Sequence, residues 1–474
     1  MNSDIHSQIK FGTDGWRGVI ADNFTFENVA LVAQAISQWL KIHAQSKHQQ
    51  SRVAVGYDTR FLSPEFAQTV ACVLASQDIE VHLSDSPIPT PALSYGVVHL
   101  KCDSGVMISA SHNPASFNGI KLKNTFGGGA SREITDCVES YLGKTPVQKM
   151  DFVAAVAAKK IIIYDFKKSY LRFMKDYVDL KRIKNARFKV IQDVMHGSGN
   201  GLLKEILKGS HIRLSLMRDN INPSFGGSKP EPIAECLQEM MGRVKKERFD
   251  VGLALDGDAD RIAAVAPGGE FVSPQRILGL LTLHLVRNRG CWGGVVKTIC
   301  GSTIMDHIAR KLKLKLFETP VGFKYISDLM VTENIVAGGE EAGGMGVQGY
   351  IPERDGILAG LLLIEMMAYQ KKNIKELLRD MEKEFGRYYY VRSDLKLGEG
   401  RFDANAIKST KEILGQKVVA IKDFDGVKLI CANEDWLMLR PSGTEPLVRA
   451  YVEAKSLKRA NELLDFGQRL LRKA

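Results

Sequence analysis

Short apolar runs alternate with amphipathic helical patterns along most of the chain. Near its start, Arg52–Asp58, Ile79–Ser84 and Gly105–Ala110 are predicted as strands, and Pro64–Ser76 is predicted as a helix. The alternation returns further along, where strands are predicted at Lys160–Tyr164, Phe188–Val194, Val251–Leu255, Gly294–Ile299, Lys315–Thr319 and Asn334–Gly338. Because strands that alternate with helices form α/β units, the pattern predicts mixed or mainly parallel sheets.

The pattern changes after Arg387, where the predicted strands come close together. These strands and the helix that follows them are Tyr388–Leu395, Val418–Ile421, Val427–Cys431, Trp436–Leu439 and Leu457–Arg472. Closely spaced strands followed by one helix predict a separate α+β domain. We therefore predict an α/β fold in four domains, three with mixed sheets and a C-terminal α+β domain. The predicted boundaries are 1–154, 155–265, 266–385 and 386–474.

The composition is that of a folded, slightly basic protein. The chain has 474 residues, which predicts about two to four domains, and 45% of them are hydrophobic, which excludes disorder as its main state. The formal net charge of +11 favours anionic ligands. Because the basic residues form only short clusters such as Lys245-Lys246, no nucleic-acid partner is predicted.

Cysteine usage and hydropathy predict a cytoplasmic protein without a membrane partner. The seven cysteines form no CxxC pair, which argues against a disulfide framework or a structural zinc site. The first ten residues are polar and contain no secretory apolar segment. The longest strongly apolar stretch, Ile357–Tyr369, is interrupted by Glu365 and is too short to span a bilayer.

Four apolar runs end abruptly in loops that are rich in glycine, serine and charged residues. We call these the serine loop (109–114), the aspartate loop (256–261), the glutamate loop (339–344) and the arginine loop (440–446). Ligands of open α/β sheets bind at the carboxyl ends of strands, where such loops emerge. The pattern predicts four domains that each contribute one loop to a shared cleft.

The aspartate loop has the spacing of a metal site. Asp256, Asp258 and Asp260 alternate with small residues, so three carboxylates can converge on one hard cation. An EF-hand is excluded because Arg261 and Pro267 stand where that motif needs glycine and glutamate. A phosphatase with an aspartate nucleophile and a solvated acidic turn remain as alternatives. Three oxygen ligands leave positions open, which suits Mg²⁺ bound together with a phosphate.

The other three loops offer weaker signals. In the serine loop, Ser111 needs a base or a metal to act as a nucleophile, and its neighbour His112 does not form a dyad by spacing alone. A capped turn is the alternative there. Glu340 in the glutamate loop is a candidate for binding sugar hydroxyls, with a plain exposed turn as the alternative. A phosphate-binding site is predicted at Arg440, Ser442, Gly443, Thr444 and Arg449. The arginine guanidinium groups and the hydroxyls can donate hydrogen bonds to a phosphate, and the glycine lets the backbone approach it.

Taken together and in chain order, the motifs resemble those of the α-D-phosphohexomutase family, phosphoglucomutase/phosphomannomutase type. They are Phe11-Gly-Thr-Asp-Gly-Trp-Arg-Gly18, Ser109-Ala-Ser-His-Asn-Pro114, Asn118-Gly-Ile-Lys121, Asp256-Gly-Asp-Ala-Asp-Arg261, Gly339-Glu-Glu-Ala-Gly-Gly344 and Arg440-Pro-Ser-Gly-Thr-Glu-Pro446. The resemblance covers essentially the whole chain. One departure is Ala342, which stands where many members have serine, and it leaves the preferred sugar open.

The resemblance implies a heart-shaped, four-domain enzyme that moves a phosphoryl group between the 1- and 6-positions of a hexose phosphate. Ser111 would carry the phosphoryl group, and a hexose 1,6-bisphosphate of the glucose 1,6-bisphosphate type would be the intermediate and activator. Mg²⁺ would be held by Asp256, Asp258, Asp260 and an oxygen of phosphorylated Ser111. The expected partner is a small sugar phosphate, and the expected state is a monomer or small homo-oligomer.

The resemblance also implies roles for individual basic and polar residues. Arg17, His112 and Lys121 match catalytic positions, with His112 or Lys121 as the acid/base. Arg261 matches a residue at the end of the metal loop and is expected to bind the substrate, and Lys297 and Thr319 match substrate-facing positions. Glucose or mannose phosphate is the expected substrate. A phosphoglucosamine mutase, a metal-dependent sugar-phosphate phosphatase and a non-catalytic sugar-phosphate sensor are the alternatives. An intact serine loop beside an intact aspartate loop favours the mutase.

Overall fold

Four β-sheets follow one another along the chain in the computed structural model, which describes residues 9–12, 14–43, 50–396, 402–441 and 447–473. The first three sheets contain parallel and antiparallel strands, and the fourth is antiparallel throughout. This arrangement confirms the predicted fold class. Together with the helices around them, the sheets form three α/β units and one C-terminal α+β unit.

The first sheet has six strands. In spatial order they are Trp16–Val19, Phe117–Lys123, Ser104–Ile108, Arg52–Tyr57, Glu80–Ser84 and Ile161–Tyr164. The sixth strand lies beyond residue 154, where the sequence analysis ends the first domain. Ile161–Tyr164 joins the first sheet because it pairs in parallel with Glu80–Ser84. This sheet therefore extends to residue 164, ten residues past the predicted boundary.

The second and third sheets are smaller. The second has the order Glu270–Val272, Ile262–Ala266, Val251–Leu255, Lys189–Asp193 and Arg213–Met217. The third has the order Lys315–Thr319, Gly294–Thr298, Ile335–Gly339 and Met345–Val347. The edge strand Glu270–Val272 lies beyond residue 265, the predicted end of the second domain, because it forms a hairpin with Ile262–Ala266.

In each of the first three sheets, one buried parallel strand turns through a loop into an antiparallel neighbour. The strand pairs are Ser104–Ile108 with Phe117–Lys123, Val251–Leu255 with Ile262–Ala266, and Ile335–Gly339 with Met345–Val347. The connecting segments contain the serine, aspartate and glutamate loops respectively. The three units therefore repeat one design, with each loop at the carboxyl end of a parallel strand.

The fourth sheet forms the C-terminal unit. Its order is Tyr389–Lys396, Leu447–Ala454, Trp436–Pro441, Val427–Cys431, Gln416–Lys422 and Glu412–Ile413. The helix Leu457–Lys473 packs against one face of this sheet and buries Ala460 and Leu463 there. On its other side, Trp436, Met438 and Tyr451 form a small apolar cluster with Ile299 and Cys300 of the third unit.

Helices cover the sheets, and many begin at a polar residue that caps the first turn. The helices of the first three units are Phe26–His43, Ser63–Ser76, Thr90–His99, Arg132–Tyr141, Phe152–Ala157, Phe166–Tyr177, Leu180–Asn185, Leu202–Ile206, Gln238–Glu247, Pro274–Arg287, Thr303–Leu312, Phe323–Thr332, Gly356–Gln370 and Ile374–Phe385. Short 3₁₀ turns lie at Phe225–Gly227 and Ala234–Leu237, and the fourth unit adds Ala404–Lys408. Side chains of Asp151, Asp165, Asp179 and Asp355 accept backbone N–H groups at helix starts.

The helix Gly356–Gln370 is buried along nearly its whole length and joins the second and third units. It packs on the sheet strands of the second unit and on the helix Pro274–Arg287 of the third. Its one charged residue, Glu365, lies beside His284 at 3.3 Å and accepts the backbone N–H of Asp179. This apolar segment is thus a core helix. Among the described residues, no helix is both long enough and apolar enough to cross a membrane.

Candidate active site

Ser111 is buried at the end of the strand Ser104–Ile108. Its φ of +52° lies in the left-handed region, an uncommon conformation for a residue with a side chain and one that concentrates at functional sites. Its Oγ donates a hydrogen bond to Oδ2 of Asp256 at 2.8 Å, and Nδ1 of His112 lies 3.4 Å from the same oxygen. The fold therefore holds the hydroxyl against a carboxylate from a different sheet.

Asp256, Asp258 and Asp260 come together as a buried triad. They follow the strand Val251–Leu255, and one carboxylate oxygen of each lies within 4.8 Å of the others. Burial raises the pKa of Asp256 well above its usual value, and repulsion from the other two aspartates raises it further. In the part of the chain that the structure describes, Oδ1 of Asp258 and Oδ1 of Asp260 are buried without a hydrogen-bond partner. A donor set of this kind fits a divalent cation such as Mg²⁺.

Lys121 reaches the triad from the first sheet. Its strand, Phe117–Lys123, is the antiparallel neighbour that follows the serine loop, and its side chain is only 2% exposed. Nζ lies 2.7 Å from Asp258, 3.0 Å from Asp260 and 2.9 Å from Asp14. Burial alone would lower the pKa of Lys121, but the three carboxylates outweigh it and raise that pKa. Lys121 is therefore a firmly held cation.

The other predicted basic residues surround the serine loop. Arg17 donates through Nη1 to Oδ1 of Asn113 at 2.7 Å and through Nη2 to Oδ2 of Asp14 at 3.1 Å. Burial lowers the pKa of His112, and the cations of Arg261 and Arg17 lower it further, so the imidazole is neutral at physiological pH. Nε of Arg261 lies 3.9 Å from Oδ1 of Asp260. The structure thus brings Arg17, His112, Lys121 and Arg261 to one place.

Glu340 borders this cluster from the third unit. Oε2 of Glu340 lies 3.2 Å from Nη1 of Arg354, and burial raises the pKa of Glu340. Lys297 and Thr319 lie further towards the fourth unit. Lys297 is buried and pairs with Asp306 on the helix Thr303–Leu312, while the Thr319 hydroxyl donates to the carbonyl of Pro320. Glu340 therefore contacts Arg354, which itself pairs with Asp260 of the triad. Lys297 instead points towards Asp306 on the helix Thr303–Leu312.

Of the predicted phosphate-binding residues, the structure describes Arg440 and Arg449. Arg440 is the penultimate residue of the strand Trp436–Pro441 and donates through Nε to Oδ1 of Asp425 at 2.7 Å. Its cross-strand partner is Arg449, whose Nε lies 4.0 Å from Oδ1 of Asp394. Ser442, Gly443 and Thr444 lie outside the described residues.

Models of one protein family match the chain in four consecutive segments. Their descriptions are "Phosphoglucomutase/phosphomannomutase" alpha/beta/alpha domains I, II and III and the C-terminal domain, and they match residues 8–148, 168–269, 273–385 and 391–466. A "Phosphoglucomutase/phosphomannomutase" from Thermococcus kodakarensis is 31% identical over 464 residues, which is 98% of both chains. The chain belongs to the phosphoglucomutase/phosphomannomutase family. This confirms the resemblance and makes the protein a phosphohexomutase, an isomerase.

Two further relatives agree on the family but name different sugars. A crystal structure described as a putative phosphomannomutase from Thermus thermophilus matches with a TM-score of 0.87 and 32% identity, covering 98% of this chain and 99% of that one. A "Phosphoglucosamine/phosphogalactosamine mutase" from Sulfurisphaera tokodaii is 29% identical and covers 96% of this chain and 97% of its own. Family membership therefore leaves the sugar open.

Arg354 belongs to the centre of this phosphohexomutase, although the sequence analysis did not select it. Its Nη2 lies 2.8 Å from Oδ2 of Asp260 and 2.9 Å from Oδ1 of Asp14, and its Nη1 contacts Glu340. Gly344 leaves room for it, because a Cβ there would lie 2.2 Å from Cδ of Arg354. The sequence contained one indication of this residue: Arg354 directly precedes Asp355, which caps the start of an apolar helix.

Arg60 and Thr90 were also overlooked. The buried Arg60 guanidinium donates to the backbone carbonyls of Ser111 and Asn113 at 2.6 and 2.7 Å and also reaches those of Pro114 and Phe117. Thr90 donates through Oγ1 to Oδ2 of Asp258 at 2.5 Å. Arg60 follows the carboxyl end of the strand Arg52–Tyr57. Because ligands bind at the carboxyl ends of strands, its position in the sequence already indicated a place near the site.

Proposed function

We propose that this phosphohexomutase transfers a phosphoryl group between the 1- and 6-positions of glucose or mannose phosphate. Ser111 carries the group, and a hexose 1,6-bisphosphate is the intermediate. The observation that carries this proposal is the contact of the buried Ser111 hydroxyl with Asp256, inside a ring of cations. A mutase has to retain the phosphoryl group between two half-reactions, so it needs a protein acceptor that is shielded from water.

Asp256, Asp258 and Asp260, with an oxygen of phosphorylated Ser111, would hold Mg²⁺. When bound, Mg²⁺ supplies positive charge that stabilises the transferring phosphoryl group. Arg17 and Lys121 add fixed positive charge around the same serine. Phosphoryl transfer depends mostly on positioning and on such charge stabilisation, so a rigid, buried cluster suits it.

His112 is the better candidate for moving the proton of the reacting hydroxyl. Its Nδ1 lies 3.4 Å from Oγ of Ser111, a distance at which a small shift brings it into hydrogen-bond contact with a group bound there. Nζ of Lys121, in contrast, is engaged by Asp14, Asp258 and Asp260 at 2.7–3.0 Å. We therefore assign proton transfer to His112 and electrostatic stabilisation to Lys121.

Substrate binding is assigned to residues around the opening of this cluster. Glu340 accepts hydrogen bonds from sugar hydroxyls, and Arg261 and Thr319 contact the substrate from the second and third units. Lys297 contacts the substrate from the third unit only if its ammonium leaves Asp306, with which it pairs. The phosphate that does not react is bound by Arg440, Ser442, Gly443, Thr444 and Arg449. Because the Sulfurisphaera tokodaii relative is named for amino sugars, glucosamine phosphate is the second candidate substrate.

The decisive test combines mass spectrometry with a coupled isomerase assay. The purified protein should contain a fraction with one added phosphate that localises to the Ser111 peptide. Ser111→Ala should lack it and should lose turnover by several orders of magnitude. Ser116→Ala is the control, because Ser116 lies in the same segment between the strands Ser104–Ile108 and Phe117–Lys123 but is exposed. Assays with glucose, mannose and glucosamine 1-phosphates then identify the sugar. Isomerisation retained by Ser111→Ala would overturn the mechanism.

A further inference from the structure

We propose that Asp425 is a positioning residue for phosphate binding, which holds the Arg440 guanidinium in place and ties it to the loop after the strand Lys315–Thr319. The inference rests on the proposed function, because it concerns the arginine assigned to the non-reacting phosphate. Asp425 itself is not expected to touch the substrate.

Asp425 is brought to Arg440 by a tight turn in the fourth unit. The turn joins Gln416–Lys422 to Val427–Cys431 and lies against the strand Trp436–Pro441, which contains Arg440. Gly426 makes this approach possible. Its φ is +88°, and a Cβ there would lie 2.6 Å from the carbonyl oxygen of Leu439 and 3.0 Å from Cα of Arg440. The short distance between the turn and the strand is therefore built into the backbone.

The contact engages one edge of the guanidinium and leaves its end available. Oδ1 of Asp425 accepts the Nε–H of Arg440 at 2.7 Å, and both side chains are less than one-fifth exposed. Among the described residues, no second carboxylate lies within ion-pair distance of Arg440. A guanidinium fixed through Nε can present Nη1 and Nη2 together to an anion, which is the geometry that favours bidentate phosphate binding.

The second oxygen of Asp425 reaches another unit of the molecule. Oδ2 accepts the backbone N–H of Val321 at 2.7 Å, in the loop between the strand Lys315–Thr319 and the helix Phe323–Thr332. One carboxylate therefore joins the arginine assigned to the phosphate to the loop that directly follows Thr319, a residue assigned to the substrate. Nearby, Lys422 pairs with Glu318 across the same junction, which adds a second link between the two units.

A negative charge beside a phosphate site would weaken anion binding if it acted only through its charge. On charge alone, removing Asp425 should therefore strengthen phosphate binding. If Asp425 positions Arg440, removing it should instead weaken phosphate binding. In the wild type, one carboxylate oxygen of Asp425 accepts from Arg440 and the other accepts from Val321. Asp425→Asn keeps only one of these two acceptor oxygens, so one of the two hydrogen bonds is lost. We expect the Kd for inorganic phosphate and the KM for both 1- and 6-phosphates to rise about tenfold, as when a residue that orients a ligand-binding group is lost. The kcat at saturating substrate should change much less.

Asp423→Asn is the matched control. It removes the same charge from the same turn, but Asp423 is exposed and pairs with Lys408 instead of Arg440. Phosphate binding should be unchanged or slightly tighter in this variant. A double-mutant cycle provides the second readout, because Asp425→Asn should have no further effect on phosphate affinity in an Arg440→Ala background. If Asp425→Asn does not fold, Asp425→Glu keeps the charge, misplaces the oxygens and should give the same loss.

The outcomes separate this inference from the proposed function. If the wild-type protein neither isomerises hexose phosphates nor binds phosphate through Arg440, the proposed function fails. If it does both, and Asp425→Asn binds phosphate as well as Asp423→Asn or more tightly, only the positioning role of Asp425 is overturned. An effect of Asp425→Asn that persists unchanged without Arg440 would also overturn it.

Discussion

Nη2 of Arg354 lies 2.8 Å from Oδ2 of Asp260, so a side chain next to the glutamate loop holds a carboxylate of the aspartate loop. The same nitrogen also contacts Asp14 of the first unit. The three α/β units therefore meet at one buried guanidinium. This junction sets the relative placement of the residues that we assign to metal and sugar binding.

Replacing Arg354 by methionine should impair catalysis in addition to folding stability. The change keeps an unbranched side chain but leaves Asp14, Asp260 and Glu340 without their shared cation, a loss on the order of 2–4 kcal/mol in transition-state stabilisation. We expect kcat/KM to fall by about 30-fold to 1,000-fold, measured in the coupled assay. Arg354→Lys should retain more activity than Arg354→Met, because lysine restores the positive charge but not the planar guanidinium that contacts several carboxylates at once.

Arg276→Met is a suitable control for that experiment. Arg276 is also a mostly buried arginine, and it pairs with Glu270 and Glu382 away from the aspartate triad. Its replacement should lower the melting temperature with little effect on kcat/KM. Equal kinetic losses in both variants would mean that Arg354 contributes to stability alone.

Removing the metal or one of its proposed ligands should abolish turnover. Asp258→Asn keeps the size of the side chain but removes the negative charge that strengthens its binding of a hard cation. Activity in excess chelator should vanish and return with Mg²⁺. Ca²⁺ should restore little of it, because its looser coordination misplaces the phosphoryl group. Full activity in chelator would contradict the metal assignment.

The sequence predicts the parallel core of each unit well, for a physical reason. Parallel strands covered on both faces are continuous apolar runs, so the fully buried Val251–Leu255 is found with the same bounds in the structure. The edge strand Lys315–Thr319 also has the predicted bounds, although it is only partly buried. The carboxyl ends of such strands then locate the loops. Ser111, Asp256 and Glu340 were selected on that basis, and the structure brings their loops to one buried cluster.

The antiparallel strand that follows the serine loop was not predicted, because buried polar residues interrupt its apolar pattern. Phe117–Lys123 contains Asn118, Lys121 and Lys123, all of them buried. Lys121 pairs with the triad and Lys123 pairs with Glu353, so each charge is satisfied only by a distant part of the chain. Such pairing exists only after the units assemble, and local sequence patterns do not contain it. Arg354 was missed for the same reason.

Arg440→Ala should weaken the binding of both substrates alike. Either phosphate of the hexose has to occupy the non-reacting site while the other one reacts, so one arginine serves both directions. We expect KM to rise for the 1-phosphate and the 6-phosphate by similar factors, with a loss of about 2–4 kcal/mol if the charge pair is shielded from water. A change in KM for one of the two substrates alone would contradict a shared site.

Lys428 should make the stability of the molecule depend on pH. It is 2% exposed, donates to the carbonyl of Ile299 at 2.7 Å and lies 3.8 Å above the Trp436 ring, between the third and fourth units. Burial and the nearby Lys297 lower its pKa from 10.5 to about 7, although Glu318 and Glu453 partly offset them. Between these two values the unfolded chain binds a proton that the folded chain does not. Stability should therefore rise with pH across this window.

Lys428→Met should remove that dependence. Near pH 7 and below, the cost of burying the charge is fully present in the wild type, up to about 4 kcal/mol, so the variant should melt at a higher temperature there. The difference should shrink towards pH 10, where Lys428 is neutral in the folded chain and begins to lose its proton in the unfolded chain. Lys417→Met, which replaces an exposed lysine on a neighbouring strand, is the control and should shift the melting temperature little at any pH. Calorimetric scans from pH 6 to 10 provide the measurement. A difference between Lys428→Met and wild type that stays constant with pH would show that Lys428 is protonated in the folded chain throughout that range.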